Sequence, residues 1–174
     1  MTVRVAIVVA IVTACDAPSP SPPPAPPPLL RDPWVVPPAP SELMITLERT
    51  GCLEHCPVYK LTIYRDGRVE YRGLSFVKQR GSAVAYLERR QLDELDDAFR
   101  RAQYFDLDAN YTHEAGSFTT ITSYRLQGRT KTIWHDSNDP HAPRALSDAE
   151  SWIDFTVDIE RWIGTPDERA SYTY

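Results

Sequence analysis

The sequence predicts an α+β domain: a mainly antiparallel sheet of about five strands, in the order β-β-β-α-β-β-α, with two helices packed on one face. Three observations lead there. Short runs alternate apolar and polar residues, an Asp66-Gly67 turn joins two of them, and two later stretches carry apolar residues at helical spacing.

Leu43, Ile45 and Leu47 alternate with polar neighbours and form a first strand. Val58 to Tyr64 and Arg68 to Val77 are the second and third, and the register between them can be argued. A two-residue loop would set Ile63 opposite Glu70 and Leu61 opposite Arg72, mixing core with solvent. A three-residue loop, Arg65-Asp66-Gly67, with Gly67 left-handed, instead pairs Ile63 with Val69, Leu61 with Tyr71 and Tyr59 with Gly73. The opposite face then carries Lys60, Thr62, Tyr64, Arg68, Glu70 and Arg72, which suits water. One face is buried, and something must cover it.

Leu92, Leu95, Phe99 and Ala102 recur at helical spacing between Glu88 and Gln103, with Asp96-Arg100 and Asp97-Arg101 as ion pairs on the wet side. Phe105 and Leu107 close this part of the core. Thr119 to Leu126 and Arg129 to His135 form a second hairpin around Gln127-Gly128. Ser147 and Glu150 fit a capping box that opens a last helix. Its stripes are Ala149, Ile153 and Val157, and Trp152, Phe155, Ile159 and Trp162.

Around this domain, residues 41–164, the chain is organised for export. Residues 1–14 read as a lipoprotein signal peptide: Arg4, an apolar run from Val5 to Val12, then Val12-Thr13-Ala14-Cys15 as a lipobox. The apolar run is too short for a membrane span, which needs about 20 residues. Cys15 is the expected lipidation site, and its acyl chains would anchor the protein to a bacterial envelope membrane, facing the periplasm. Asp16 resembles an inner-membrane retention signal; that rule differs between bacteria, so inner and outer membrane both stay open. Residues 15–40 carry the anchor and a stalk: 12 of the 16 prolines fall between Asp16 and Pro40, so an extended polyproline conformation is expected. Residues 165–174 read as a loose, disordered tail.

Composition narrows the function. The net charge of −5 comes without a basic stripe, which excludes nucleic acid as a partner. No cofactor motif is present: there is no Ser-His-Asp order, glycine-rich phosphate loop or zinc-protease motif.

With Cys15 given to lipid, Cys52 and Cys56 remain, in a compartment that oxidises thiols, and a disulfide between them is expected. The alternative is a soft-metal site, with two thiolates joined by His55, His113, His135 or His141 on Cu(I) or Zn(II). The Cys-x-x-x-Cys-Pro spacing is similar to that of Sco-type copper chaperones, although here it runs into a strand rather than a helix. A second polar cluster is His135-Asp136-Ser137-Asn138-Asp139-Pro140-His141. His135, Asp136 and His141 are candidate metal ligands or a general base there, and the same residues suit a solvated turn.

The string Arg49-Thr50-Gly51-Cys52, then Cys56-Pro57-Val58-Tyr59-Lys60-Leu61-Thr62-Ile63-Tyr64-Arg65-Asp66-Gly67, with Tyr71 and Gly73, resembles an uncharacterised bacterial domain family of secreted proteins and lipoproteins. The resemblance runs from Leu43 to Gly164 and implies the fold and an envelope location. Leu53, Glu54 and His55 depart from a glycine often found between the family's cysteines. No activity, cofactor or catalytic residue comes with the resemblance.

The expectation is therefore a lipid-anchored envelope protein whose non-catalytic domain has a binding or structural role, with an envelope protein or cell-wall partner. A periplasmic copper or thiol-redox chaperone using Cys52 and Cys56 is the second reading, and a metal-dependent enzyme centred on His135 and His141 the third.

Overall fold

In the computed structural model, which describes residues 42–52, 55–112 and 118–172, the Asp66-Gly67 turn has the three-residue form. Gly67 adopts φ 90°, and Ile63 pairs with Val69, Leu61 with Tyr71 and Tyr59 with Gly73. The chain divides into two units, Met1–Pro37 and Pro38–Tyr174, and the described residues belong to the second. The signal peptide, Cys15, the stalk to Pro40, Leu53, Glu54 and His113 lie outside the described residues.

The strands are β1 (Leu43–Arg49), β2 (Val58–Tyr64), β3 (Arg68–Ser75), β4 (Gly81–Tyr86), β5 (Asn110–Tyr111), β6 (Thr119–Leu126) and β7 (Arg129–Asp136). Helix α1 (Arg89–Arg101) follows β4, and α2 (Arg144–Thr156), α3 (Glu160–Ile163) and α4 (Pro166–Ala170) follow β7. All strands join one sheet in the order β4-β3-β2-β1-β6-β7-β5. The expected sheet of about five mainly antiparallel strands is thus replaced by a seven-stranded mixed sheet, β5 lying parallel to β7. The class remains α+β.

The two added strands have weak signatures. The run expected to continue to Val77 stops at Ser75, Phe76 turns with φ 51°, and β4 returns from Gly81. Its core-facing residues are Ala83 and Ala85, too small to mark an apolar face. β5 has two residues, below the length at which alternation can be read.

The helices also depart from expectation: more than the expected two are present, and the last expected helix breaks after Thr156, with Asp158 at φ 52°, so that Trp162 lies on α3. α2 starts at Arg144 behind Pro143, so Ser147 and Glu150 lie inside it and form no cap. On α1 the surface pairs are Arg89-Asp93 and Arg90-Glu94, while Asp96 turns inward to Arg65 and Tyr124. The stretch expected as a loose tail contains α4. Thr165 caps it, Pro166 occupies its first turn, and Glu168 completes the capping box.

Ile45, Leu47, Leu61, Ile63, Val69, Tyr71, Tyr124 and Ile133 are all buried and meet Leu92, Leu95 and Phe99 of α1 and Leu146 and Ile153 of α2. Truncating a side chain such as Leu61 to alanine in a core of this kind costs about 2–5 kcal/mol. Of the two stripes expected on the last helix, Ala149, Ile153, Val157, Ile159 and Trp162 are buried, whereas Trp152 and Phe155 stack on each other at the surface. The other sheet face carries Lys60, Thr62, Glu70 and Arg72 toward water.

Candidate functional site

At one end of the sheet the core-facing side chains change from apolar to polar. Ile45 and Leu47 of β1 point into the core, and the next residue on that face is Arg49. The register places Arg49 opposite Tyr59 of β2 and Thr120 of β6, and Thr120 opposite His135 of β7. Tyr59, Arg49, Thr120 and His135 therefore form one row across four adjacent strands. Helix α2 crosses above it and offers Glu150 and Asp154, one turn apart on the same face.

Each carboxylate meets its own half of the row. Arg49 donates from Nη2 to Asp154 Oδ2 at 2.8 Å and from Nη1 to Thr120 Oγ1 at 2.7 Å. The Tyr59 hydroxyl donates to Asp154 Oδ1 at 2.7 Å. On the other side Glu150, 1% exposed, accepts from Thr122 Oγ1 at 2.9 Å and lies 2.9 Å from His135 Nδ1. The Tyr104 hydroxyl donates to the Thr122 carbonyl at 2.6 Å, so the buried polar groups are knitted together.

The electrostatics follow from this packing. Burial works against the Arg49 charge, but Asp154, Tyr59 and Glu150 together more than compensate and hold the guanidinium above its ordinary range. Burial, followed by the Asp154 charge, pushes the Tyr59 phenol well above its ordinary value. Burial also raises Tyr104. Arg49 and Tyr59 are therefore fixed in one protonation state, cation and neutral phenol, across the physiological range.

Arg49, Tyr59 and Asp154 line a cleft of about 310 Å³, together with Thr50, Cys56, Pro57, Phe118, Ser151, Ile159 and Ile163. Cys56 is bonded to Cys52, with Cα atoms 5.6 Å apart, so the expected disulfide is present and borders the cleft. The combination of apolar walls with a few fixed polar groups is the usual make-up of a small-ligand site.

The remaining sequence candidates are dispersed. His55 is exposed and sets its ring edge against Phe76, with centroids 5.0 Å apart. His135 is buried against Glu150, Asp136 accepts from Thr119 Oγ1 at 2.6 Å, and the His141 backbone N–H donates to Asp139 at 2.8 Å. Among the described residues, no group of three or more His, Cys, Asp or Glu side chains is placed to hold a metal ion.

Sequence reasoning passed over Arg49, Asp154 and the true partner of Glu150. The signals were present: Arg49 continues the period-two series of Ile45 and Leu47, and Asp154 follows Glu150 by four residues beside the buried Ala149-Ile153 stripe.

No curated protein matches the chain significantly. Residues 43–157, which contain the whole polar row and both carboxylates above it, match a domain of unknown function, DUF6438, and the chain belongs to that family.

Proposed function

We propose that this is a lipid-anchored protein of the bacterial envelope, held by Cys15 on a proline-rich stalk, whose DUF6438 domain is a non-catalytic binding module. The cleft bordered by Arg49, Tyr59, Asp154 and the Cys52-Cys56 bridge is its ligand site. The observation that carries the reading is the state of those polar groups. Acid–base catalysis needs a side chain that changes its proton near working pH. Here a guanidinium and a phenol are both driven away from that range, and both bind one carboxylate. Cys56, as part of a disulfide, is not a thiolate nucleophile. Such groups orient a ligand by hydrogen bonding while Pro57, Ile159 and Ile163 bury its apolar part.

The test has two arms. Cys15→Ser should lose membrane retention on fractionation, and normal retention would remove the anchor from the proposal. A photo-crosslinking residue in place of the cleft-lining Ser151 should trap a cell-wall fragment or envelope protein in cells, whereas one at exposed Arg129 should not. Equal trapping at both positions, or none at Ser151, would reject the cleft.

A further inference from the structure

The polar groups of the cleft restrict the chemistry of what it can hold. Arg49 Nη2 and Asp154 Oδ2 lie 2.8 Å apart, a donor and an acceptor side by side. Neither is used up. A guanidinium carries more N–H groups than its bonds to Asp154 and Thr120 employ, and a carboxylate oxygen that accepts one hydrogen bond can accept another. The two side chains are 16% and 19% exposed and both line the cleft, so the accessible part of each is open to a ligand there. Their charges cancel. An anionic ligand would meet Asp154 and a cationic one Arg49, each at short range in a partly buried setting, so the pair selects against both.

Geometry selects among neutral ligands. A trans peptide group points its C=O and N–H to opposite sides, and so does not answer a donor and an acceptor that lie side by side. Two hydroxyls on adjacent carbons of a sugar ring do, since their oxygens are spaced much like Nη2 and Oδ2 and a hydroxyl both donates and accepts. The C–H faces of such a ring are apolar and suit the walls formed by Pro57, Phe118, Ile159 and Ile163, while Ser151 adds an exposed hydroxyl to the lining. A volume of about 310 Å³ is at the small end of ligand sites and suits a single ring. We infer that the cleft recognises a neutral pyranose through two adjacent hydroxyls, one accepting from Arg49 and the other donating to Asp154. This rests on the cleft being the ligand site, as proposed above, and adds the class of ligand: a glycan that leaves such a ring accessible.

Saturation-transfer NMR on the full chain in detergent, with the methyl glycosides of glucose, galactose and mannose, should show transfer to at least one of them. In competition against that glycoside, the matching uronic acid and amino sugar should bind at least about tenfold more weakly, because each brings a charge to a cancelled pair. Deoxy analogues lacking either hydroxyl of the bound pair should fail to compete. Ser151→Trp, at an exposed position lining the cleft, should fill it and abolish transfer. No transfer to any of the three glycosides, charged counterparts that bind equally, or transfer undiminished in Ser151→Trp would each overturn the inference, as would binding of N-acetylglutamine amide in place of every sugar. Trapping of an envelope protein from position 151 with no glycoside bound would keep the cleft as a ligand site and remove the sugar from it.

Discussion

Arg49 and Tyr59 face each other across β1 and β2 and share one acceptor, the two oxygens of Asp154. The carboxylate is 19% exposed and the guanidinium 16%, so the pair is largely withdrawn from water. Removing one partner of such a pair leaves the other charge unmatched, whereas replacing both by apolar residues is close to neutral. Arg49→Met should therefore destabilise the domain by about 3 kcal/mol. In a Tyr59→Phe background, which needs no acceptor, the double variant Arg49→Met with Asp154→Leu should recover most of that loss in denaturant unfolding. Equal costs for the single and double variants would show that the charge pairing does not carry the effect.

Glu150 offers a comparison inside the same helix. Glu150→Gln keeps an oxygen for Thr122, while Glu150→Leu leaves both the Thr122 hydroxyl and His135 unmatched in a buried setting. The leucine variant should lose more than about 2 kcal/mol, and the glutamine variant clearly less. Thermal unfolding of the two side by side distinguishes them.

Alkaline pH should unfold the domain earlier than a core of phenylalanines would. Burial raises the core phenols of Tyr59, Tyr71, Tyr104 and Tyr124 above their ordinary value of 10.0, Tyr71 and Tyr124 being pushed up to about 12. The unfolded chain releases these protons first, so their stabilising share is complete below pH about 10 and falls as the pH rises toward the folded values. The expected slope is about 1.4 kcal/mol per pH unit for each phenol that stays protonated in the fold. Denaturant midpoints measured against phenolate absorbance should show stability flat at neutral pH and declining above about 10.

Gly67→Ala should cost more than about 1 kcal/mol. The glycine has φ 90°, and a Cβ built there would lie 2.3 Å from the Leu87 carbonyl oxygen, so conformation and space oppose a side chain together. Wild-type stability in this variant would mean that the three-residue loop is not what holds the hairpin in register.

Mass spectrometry of alkylated, unreduced mature protein should find Cys52 and Cys56 unmodified by the alkylating agent, because the bridge closes them. Two alkylated thiols with an equivalent of Cu(I) retained would transfer the function to metal handling.

How much of this was legible depended on side-chain size and on sequence distance. The β2-β3 register could be read because Leu61, Ile63, Val69 and Tyr71 leave one pairing that separates core from solvent. β4 escaped because Ala83 and Ala85 on its core face do not register as apolar anchors. The disulfide was legible from two nearby cysteines. The polar row was not, since Arg49 and Asp154 lie 105 residues apart and only the strand order β2-β1-β6-β7 brings their surroundings together. Glu150 misled through a local pattern: Ser147 and Glu150 have capping-box spacing, but Pro143 had already started the helix a turn earlier.

The two carboxylates of α2 also settle how that helix is oriented about its own long axis. Leucines and isoleucines tolerate a rolling helix, because one greasy contact can replace another. Glu150 and Asp154 do not, since their partners come from different halves of the sheet: His135 and Thr122 on one side, Arg49 and Tyr59 on the other. A roll by one residue, about 100°, would strand both acids at once. The aromatic pair Trp152-Phe155 on the outer surface is thereby given a fixed compass bearing relative to the cleft.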